Sequence, residues 1–255
     1  MATFLFDNIV FGPVKSRRLG NSLGINLLPL NKKVCNFNCV YCECGWTFSG
    51  TEKLPAAEYI IQSMENKFRE LSEGHVPVDV ITFAGNGEPT MHPQFSRIIS
   101  EVLKLRERYF PGAKIAVLTN ATLLHKESVR MALQKIDMAL LKLDSAFEKS
   151  VRTINQPQGH FNFPTYLENI RNFPGKKIIQ TMFIRYEKDG KIVDNTSEIE
   201  IAAWLDELDK IRPDLVMIYS IARDTPDKAV RQIGLEKLKA IARQVEARGY
   251  KSEVS

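Results

Sequence analysis

The four cysteines of the sequence lie close together. Cys35, Cys39, Cys42 and Cys44 fall within one short segment, and the rest of the chain contains no cysteine. A disulfide framework would place cysteines far apart in the sequence so that they join distant segments, and a reducing cytosol would not keep it oxidised. Cysteines clustered at this density therefore indicate metal binding.

The spacing of the cysteines favours an iron–sulfur cluster over zinc. Structural zinc sites usually combine two pairs of ligands separated by a longer loop, whereas this sequence has no second pair and no histidine nearby. The first three cysteines form the pattern C-x3-C-x2-C, and iron–sulfur clusters are held by thiolates at such short spacings. Three thiolates on a four-iron cluster leave one iron open to a ligand. Cys44 lies outside the pattern, as a small apolar side chain, a reactive thiol or a ligand of a damaged cluster.

The cysteine pattern, with Tyr41 directly before the third cysteine, resembles the signature of the radical S-adenosylmethionine (SAM) superfamily. This resemblance implies that Cys35, Cys39 and Cys42 hold a [4Fe–4S] cluster and that SAM binds the fourth iron through its amino and carboxylate groups. It also implies a low-potential electron donor, such as flavodoxin or ferredoxin. One electron then cleaves SAM to methionine and a 5′-deoxyadenosyl radical, which abstracts hydrogen from a substrate. Tyr41 is expected to pack near the adenine.

The elements that must position these residues alternate along the chain. Six apolar segments are each followed by an amphipathic helical pattern, which is typical of a parallel sheet with helices outside it. Six units are too few for the eight of a closed barrel. The α/β pattern therefore predicts an open partial (β/α)6 barrel, which is also the core fold of the family that the sequence resembles. The predicted strands are 23–29, 78–83, 115–119, 138–143, 177–184 and 215–219.

No linker, low-complexity tract or internal repeat divides the sequence. We therefore expect residues 1–255 to form a single radical SAM domain, with the cysteine loop 35–44 after the first barrel strand. Residues 187–195 are polar and follow the fifth predicted strand. We expect them to form a loop or a small flap over the active face.

A glycine-containing segment follows the second predicted strand, at the edge where parallel sheets bind ligands. It reads Gly85-Asn86-Gly87-Glu88 and resembles the family's GGE segment, which accepts hydrogen bonds from the SAM amino group, with Asn86 inserted between the glycines. The resemblance assigns this role mainly to the backbone of residues 85–87 and less firmly to the Glu88 side chain. The alternative is a tight turn before a proline that begins a helix.

Polar residues also follow later strands. Asn120, after the third strand, either donates a hydrogen bond to SAM or caps the next helix. Lys142 and Asp144 are two residues apart and point to the same face of a strand, where buried charges are costly unless they are paired or bind a ligand. The resemblance implies that they contact the SAM carboxylate or ribose, and the alternative is a simple Lys–Asp pair. Tyr219 follows the sixth strand, where the family often holds adenine.

Composition limits the class of protein. The 255 residues include 44% hydrophobic and 25% charged residues, which is ordinary for a globular chain and excludes disorder as the main state. No apolar run approaches the ~20 residues of a membrane-spanning helix, and the N-terminus lacks the layout of a signal peptide. We therefore expect a soluble cytoplasmic protein with no membrane partner. The 35 Lys+Arg against 30 Asp+Glu give a net charge of +5, which permits an RNA partner without requiring one.

The N-terminal stretch 11–20, together with the cysteine segment, resembles a group of radical SAM proteins related to the wyosine-type tRNA-modifying enzymes. This resemblance implies a tRNA base as one candidate substrate. Arg17 and Arg18 either hold an anionic substrate or form a solvated turn. The alternatives are a radical SAM enzyme that acts on a small metabolite or a peptide, and a non-catalytic zinc-binding or RNA-binding module.

Overall fold

The computed structural model describes residues 4–16, 19–50 and 53–255. The chain divides into two compact units. Of the described residues, the first unit comprises those within 5–35 and 47–139, and the second comprises 36–46 and 140–255 together with Phe4. The prediction of a single radical SAM domain stays a prediction.

The strands of the first unit are hydrogen-bonded to one another. β2, β3 and β4 pair in parallel, and β1 pairs with β2 in antiparallel orientation. All four residues of β3 are buried, as expected for a strand of a parallel sheet that is covered on both faces. The elements are β1 (Val10–Ser16), β2 (Gly20–Ile25), α1 (Ala57–Glu73), β3 (Val80–Phe83), a 3-10 turn (Pro89–Met91), α2 (Phe95–Tyr109), β4 (Lys114–Thr119) and α3 (Glu127–Gln134).

The second unit begins within β5 (Met138–Lys142) and continues the alternation of strands and helices. Its strands follow the order β5-β6-β9-β11, and β9 pairs in parallel with both β6 and β11. A separate antiparallel sheet has the order β10-β7-β8. The further elements are α4 (Glu148–Ile154), α5 (Phe163–Arg171), β6 (Lys177–Met182), β7 (Ile184–Lys188), β8 (Lys191–Asp194), α6 (Glu198–Ile211), β9 (Leu215–Tyr219), β10 (Val230–Gln232), α7 (Leu235–Ala247) and β11 (Ser252–Val254).

All six predicted strands occur in the described residues, but the first is displaced. It ends at Ile25 because the Asn26 side chain accepts a hydrogen bond from the Leu28 N–H and donates one to the Leu28 carbonyl, which turns the chain. The sequence interpretation missed β1, α4, β10 and β11. In the described part of the chain, no helix is long and apolar enough to cross a membrane.

Residues 187–195, expected to form a loop or a small flap, belong mostly to a β-hairpin formed by β7 and β8. Asp189 and Gly190 have φ values of +51° and +73°. Two consecutive residues with positive φ match the tight turn that Asp-Gly pairs favour between antiparallel strands. The polarity of this segment reflects exposed strand positions together with the turn.

Candidate functional site

The residue before the first cysteine is held by the loop that follows β3. The Val34 N–H donates to the Asn86 carbonyl at 2.8 Å, and the Glu88 N–H donates to the Val34 carbonyl at 3.1 Å. Gly87 has a φ of +139°, and a Cβ atom there would lie 1.7 Å from the Val34 carbonyl oxygen. Only glycine permits this approach, so the loop fixes the backbone directly before Cys35.

The side chain of Asn86 is used within the first unit. It is fully buried, accepts a hydrogen bond from the Phe6 N–H at 2.9 Å and donates to the carbonyls of Phe6 and Pro29 at 2.8 and 2.9 Å. Gly85 lies so close to Asn26 that a Cβ atom would be 2.5 Å from its Oδ1. The asparagine between the two glycines therefore joins the N-terminal segment to the loop.

The carboxylate of Glu88 is buried and engaged at both oxygens. Oε1 accepts from the Thr90 N–H at 3.1 Å and from the Thr119 hydroxyl at 2.7 Å, while Oε2 accepts from the Asn120 N–H at 2.7 Å. Burial raises the pKa of Glu88, and these hydrogen bonds act in the opposite direction. Glu88 thus joins the loop after β3 to the end of β4.

Asn120 extends from the end of β4 toward the first cysteine. Its Nδ2 atom lies 3.7 Å from the Cys35 Sγ atom. Its Oδ1 atom accepts from the N–H and the hydroxyl of Thr122 at 3.1 and 2.7 Å. The oxygen therefore stabilises the following turn, and the nitrogen is directed at the sulfur. A contact between Asn120 and SAM stays a prediction.

In the second unit, the start of the cysteine loop lies along the C-terminal end of α4. The Val40 N–H donates to the Ile154 carbonyl at 2.9 Å, and the Asn38 N–H donates to the Asn155 carbonyl at 2.9 Å. The last carbonyls of a helix have no partner within the helix, so the loop amides satisfy them. The sequence interpretation missed α4, which has only seven residues, and therefore missed this support.

Around the second cysteine, the second unit gathers several buried polar groups. The Tyr41 hydroxyl donates a short hydrogen bond to Asp144, and Asp144 Oδ1 accepts from the Met182 N–H at 2.9 Å. The Asn155 Nδ2 atom lies 2.7 Å from both Tyr41 Oη and Asp144 Oδ2 and 3.5 Å from Cys39 Sγ. Burial and the neighbouring Asp144 raise the pKa of Tyr41 well above its usual value, so the phenol remains a donor.

Lys142 lies beside this group, and its polar contacts with the described residues are long. Its Nζ atom is 3.5 Å from Tyr219 Oη and 3.6 Å from Asp144 Oδ2, and it lies 5.2 Å from the centre of the Tyr41 ring. Its side chain is 14% exposed. Burial, the largest single effect, lowers the pKa of Lys142, but the neighbouring groups, Asp144 foremost among them, together raise that pKa above its ordinary value. The ammonium is therefore permanent.

The described residues thus place the predicted positions in two sets. The first unit brings Cys35 together with Glu88 and Asn120, and the second unit brings Cys39 and Tyr41 together with the residues at the end of β5. Asn155 was missed, because no sequence pattern marks an asparagine that follows a short helix. Arg17 and Arg18 lie outside the described residues.

The comparison with protein families identifies the class. The family described as the Radical SAM superfamily matches residues 33–194, which is more than half of the chain and includes all four cysteines. The chain therefore belongs to the radical SAM superfamily and is an enzyme of this class. Membership implies that it uses SAM and an iron–sulfur cluster.

The chain is also similar in sequence to several curated proteins. A UPF0026 protein of Synechocystis is 34% identical, over 85% of this chain and 77% of the relative. A UPF0026 protein of Helicobacter pylori is 32% identical, and this chain spans 66% of its length. A protein of Brachyspira hyodysenteriae named "GTPase Obg" is 28% identical, and this chain spans 33% of it.

Solved structures with low sequence identity show the fold. A radical SAM methyltransferase from Sphaerobacter thermophilus matches with a TM-score of 0.67 and 13% identity, covering 92% of this chain and 65% of that chain. Streptococcus suis SuiB bound to S-adenosylmethionine matches with a TM-score of 0.65 and 16% identity, covering 92% and 52%. Archaeal TYW1 matches with a TM-score of 0.52 and 12% identity, covering 89% and 71%. The predicted mixed α/β fold of the radical SAM class is confirmed.

Proposed function

We propose that Cys35, Cys39 and Cys42 hold a [4Fe–4S] cluster and that this chain uses it to cleave SAM reductively. The observation that carries the proposal is the C-x3-C-x2-C spacing within the region that matches the superfamily. When bound, the cluster would supply the electron that converts SAM into methionine and a 5′-deoxyadenosyl radical for hydrogen abstraction. A low-potential protein such as flavodoxin or ferredoxin would supply that electron.

The donor set fits an iron–sulfur cluster. Amide nitrogens lie near two of the three sulfur atoms, Asn120 near Cys35 and Asn155 near Cys39, and hydrogen bonds to sulfur are a common support of cluster ligands. Among the described residues, no three His, Cys, Asp or Glu side chains are placed to hold one metal ion. In a four-iron cluster each thiolate binds a different iron atom.

We assign SAM contacts to groups that keep hydrogen-bonding or packing capacity beyond their contacts within the protein. Lys142 has a permanent ammonium whose contacts in the described residues are 3.5 Å or longer, which suits a carboxylate such as that of SAM. The side chains of Asn86 and Glu88 are already engaged. In the loop after β3, we therefore assign the SAM contacts to the backbone carbonyls of residues 85–87, because a carbonyl oxygen that already accepts one hydrogen bond can accept a second. Tyr41 and Tyr219 would pack near the nucleoside.

For the substrate, a tRNA base is our first candidate, because the N-terminal and cysteine segments resemble tRNA-modifying proteins and the net charge is +5. A peptide is the second candidate. It is supported by the similarity to Streptococcus suis SuiB bound to the precursor peptide SuiA, with a TM-score of 0.65. A small metabolite, the remaining candidate, would need neither an RNA-binding nor a peptide-binding surface.

The reaction class is tested by anaerobic reconstitution with iron and sulfide, followed by dithionite reduction with SAM. We expect chromatography to detect 5′-deoxyadenosine from the unmutated protein and none from Cys39→Ala. Cys44→Ala is the matched control, because Cys44 lies outside the three-cysteine pattern, and it should retain the product. A protein that binds zinc and never iron would refute the proposal.

The substrate class is tested by the salt dependence of binding. Binding of unmodified tRNA should weaken steeply as salt rises, because phosphate contacts release counterions. A double-stranded DNA of equal length is the control for general charge attraction. Equal affinity for both, with no tRNA-dependent rise in 5′-deoxyadenosine, would move the assignment to a peptide or a metabolite.

A further inference from the structure

The side chain of Asn155 is buried beside the second cysteine. Asn155 follows α4 directly and is 1% exposed. Its carbonyl accepts a hydrogen bond from the Asn38 N–H in the cysteine loop at 2.9 Å. Its Nδ2 atom lies 3.5 Å from Cys39 Sγ and 2.7 Å from both Tyr41 Oη and Asp144 Oδ2. One residue therefore contacts the loop backbone, a cysteine sulfur and a buried carboxylate.

The hydrogen-bond network fixes the orientation of the Asn155 amide. Asp144 Oδ2 is an acceptor, so the amide nitrogen and not its oxygen must face it. The Tyr41 hydroxyl and Asp144 Oδ2 are hydrogen-bonded to each other, so both lie on the same side of the nitrogen and share one of its two hydrogens. The second hydrogen is available to the Cys39 sulfur.

We infer that Asn155 is a positioning residue that donates an N–H···S hydrogen bond to the Cys39 thiolate and so raises the reduction potential of the bound cluster. The inference rests on the proposed function, in which Cys39 is a cluster ligand. A reduced cluster carries one more negative charge than an oxidised one. A donor aimed at a ligand sulfur stabilises the reduced state more, and hydrogen bonds to sulfur are among the factors that set cluster potentials.

Two features make this donor effective. The site is buried, and a hydrogen bond is electrostatically stronger in a low-dielectric interior than in water. The amide is also held in place before any cluster binds, by Asp144 on one side and by the α4 backbone on the other. Asp144 is itself anchored by the Met182 N–H. The donor therefore does not have to reorganise when the cluster changes charge.

The test is a redox titration of the cluster, monitored by electron paramagnetic resonance without SAM. Asn155→Leu keeps a similar volume and removes the donor. We expect the ratio of reduced to oxidised cluster at a fixed potential to fall about tenfold, which corresponds to ~59 mV for a one-electron couple. Gln156→Asn is the matched control, because among the described residues the Gln156 amide nitrogen donates only to the Thr153 carbonyl, at 3.5 Å. No shift in Asn155→Leu, or an equal shift in both variants, would overturn the inference.

A second measurement does not depend on the folding of an Asn155 variant. In a protein that carries Asn36→Ser, Asn38→Ser and Asn120→Ser, which removes the asparagines between the first two cysteines and the one near Cys35, the asparagine side-chain amides are labelled with ¹⁵N. Pulsed electron paramagnetic resonance should show a label weakly coupled to the reduced cluster. The absence of any coupling would overturn the inference.

The two ways of failing are distinguishable. If the unmutated protein loads no iron–sulfur cluster, the proposed function is wrong and the inference falls with it. If the protein loads the cluster but yields no 5′-deoxyadenosine, only the proposed SAM cleavage is wrong, and the redox titration still decides the inference. If only the inference is wrong, the unmutated protein loads the cluster and cleaves SAM. In that case the potential of the Asn155→Leu variant matches that of the unmutated protein.

Discussion

Glu88 and Lys142 are charged residues that each lie near the end of a strand, but their side chains have opposite surroundings. Glu88, in the loop after β3, accepts hydrogen bonds at both carboxylate oxygens from groups of its own unit. Lys142, at the end of β5, has its nearest polar contacts in the described residues at 3.5 and 3.6 Å. Both are predicted ligand-binding residues by position. The difference shows that a polar residue at a strand end serves either the fold or a ligand, and that its hydrogen-bond partners distinguish the two.

The largest effect is expected at Gly87, because the loop after β3 leaves no space there for a side chain. Gly87→Ala would place a Cβ atom 1.7 Å from the Val34 carbonyl oxygen at a φ of +139°, so the segment before Cys35 must move. We expect a loss of unfolding free energy of about 3 kcal/mol or more and almost no iron incorporation, measured by thermal denaturation and iron analysis.

Gly112→Ala is the control, because no atom lies within 4 Å of a Cβ at Gly112. It should load iron normally. A Gly87→Ala protein that incorporates iron as well as this control would show that the loop after β3 does not position the first cysteine.

Glu88→Gln tests the structural side of the comparison. Its amide nitrogen would face a donor in place of an accepting oxygen, and one unsatisfied buried donor costs about 1–3 kcal/mol. We expect Tm to fall by roughly 2–12 °C, taking 2–4 °C per kcal/mol for a chain of this size. Glu58→Gln should change Tm little, because the Glu58 side chain is 66% exposed and pairs only with Arg97 at the surface.

A Glu88→Gln variant with an unchanged Tm and a much weaker affinity for SAM would contradict the structural role of Glu88. That combination would make Glu88 a ligand-binding residue and remove one half of the comparison. Calorimetric titration with SAM on cluster-loaded protein measures the affinity directly.

Lys142→Met tests the other side. The loss of a charge-assisted contact of about 1.5–3 kcal/mol should raise the Kd for SAM about 10- to 100-fold. Because the pKa of Lys142 is raised, its charge is present throughout the range below the ordinary lysine value of 10.5. SAM binding should therefore show no titration from this group between about pH 5 and 8, the range in which proteins are usually most stable.

Lys177→Met is the matched control for Lys142. The Lys177 Nζ atom donates to the carbonyls of Arg171 and Ile211 at 2.5 and 3.0 Å, so its loss should lower Tm without changing the affinity for SAM. Equal SAM affinity in the two variants would indicate that the Lys142 ammonium serves only to balance Asp144.

The smallest effect is expected for Tyr219→Phe. The hydroxyl lies 3.5 Å from Lys142 Nζ, so its removal should weaken SAM binding by about two- to fivefold, the effect of a weak hydrogen bond of ~0.5–1 kcal/mol. Tyr186→Phe, whose hydroxyl donates to Asp227 at 3.2 Å, should leave the affinity unchanged. A larger loss in the Tyr186 variant would place the ligand elsewhere.

The parts of the fold with strong apolar patterns could be predicted from the sequence. The strand Val80–Phe83 is buried at every position, and its apolar run can be recognised from the sequence alone. The first strand was misplaced because its apolar pattern continues into Leu27 and Leu28, which are buried although the strand has ended. Burial therefore does not mark the end of this strand. The hydrogen bonds of the Asn26 side chain determine it.

The candidate site was predictable where spacing carries the information. The cysteine pattern specifies its chemistry within eight residues, and Gly87 stands where a close approach of two backbones requires it. Asn155 was not predictable, because it is 116 residues from Cys39 in the sequence. The partners of Glu88 were equally hidden, since Thr119 and Asn120 come from a different strand end.

The docking of the cysteine loop on α4 also affects how a cluster would be assembled. Ordering a residue costs roughly 1–2 kcal/mol of conformational entropy, and the amides of Asn38 and Val40 are already bonded to helix carbonyls. The folding of the polypeptide, and not iron binding, meets this cost for the start of the loop. Assembly of the cluster therefore begins from a template, and these two amides should exchange slowly with solvent deuterium before any iron is added.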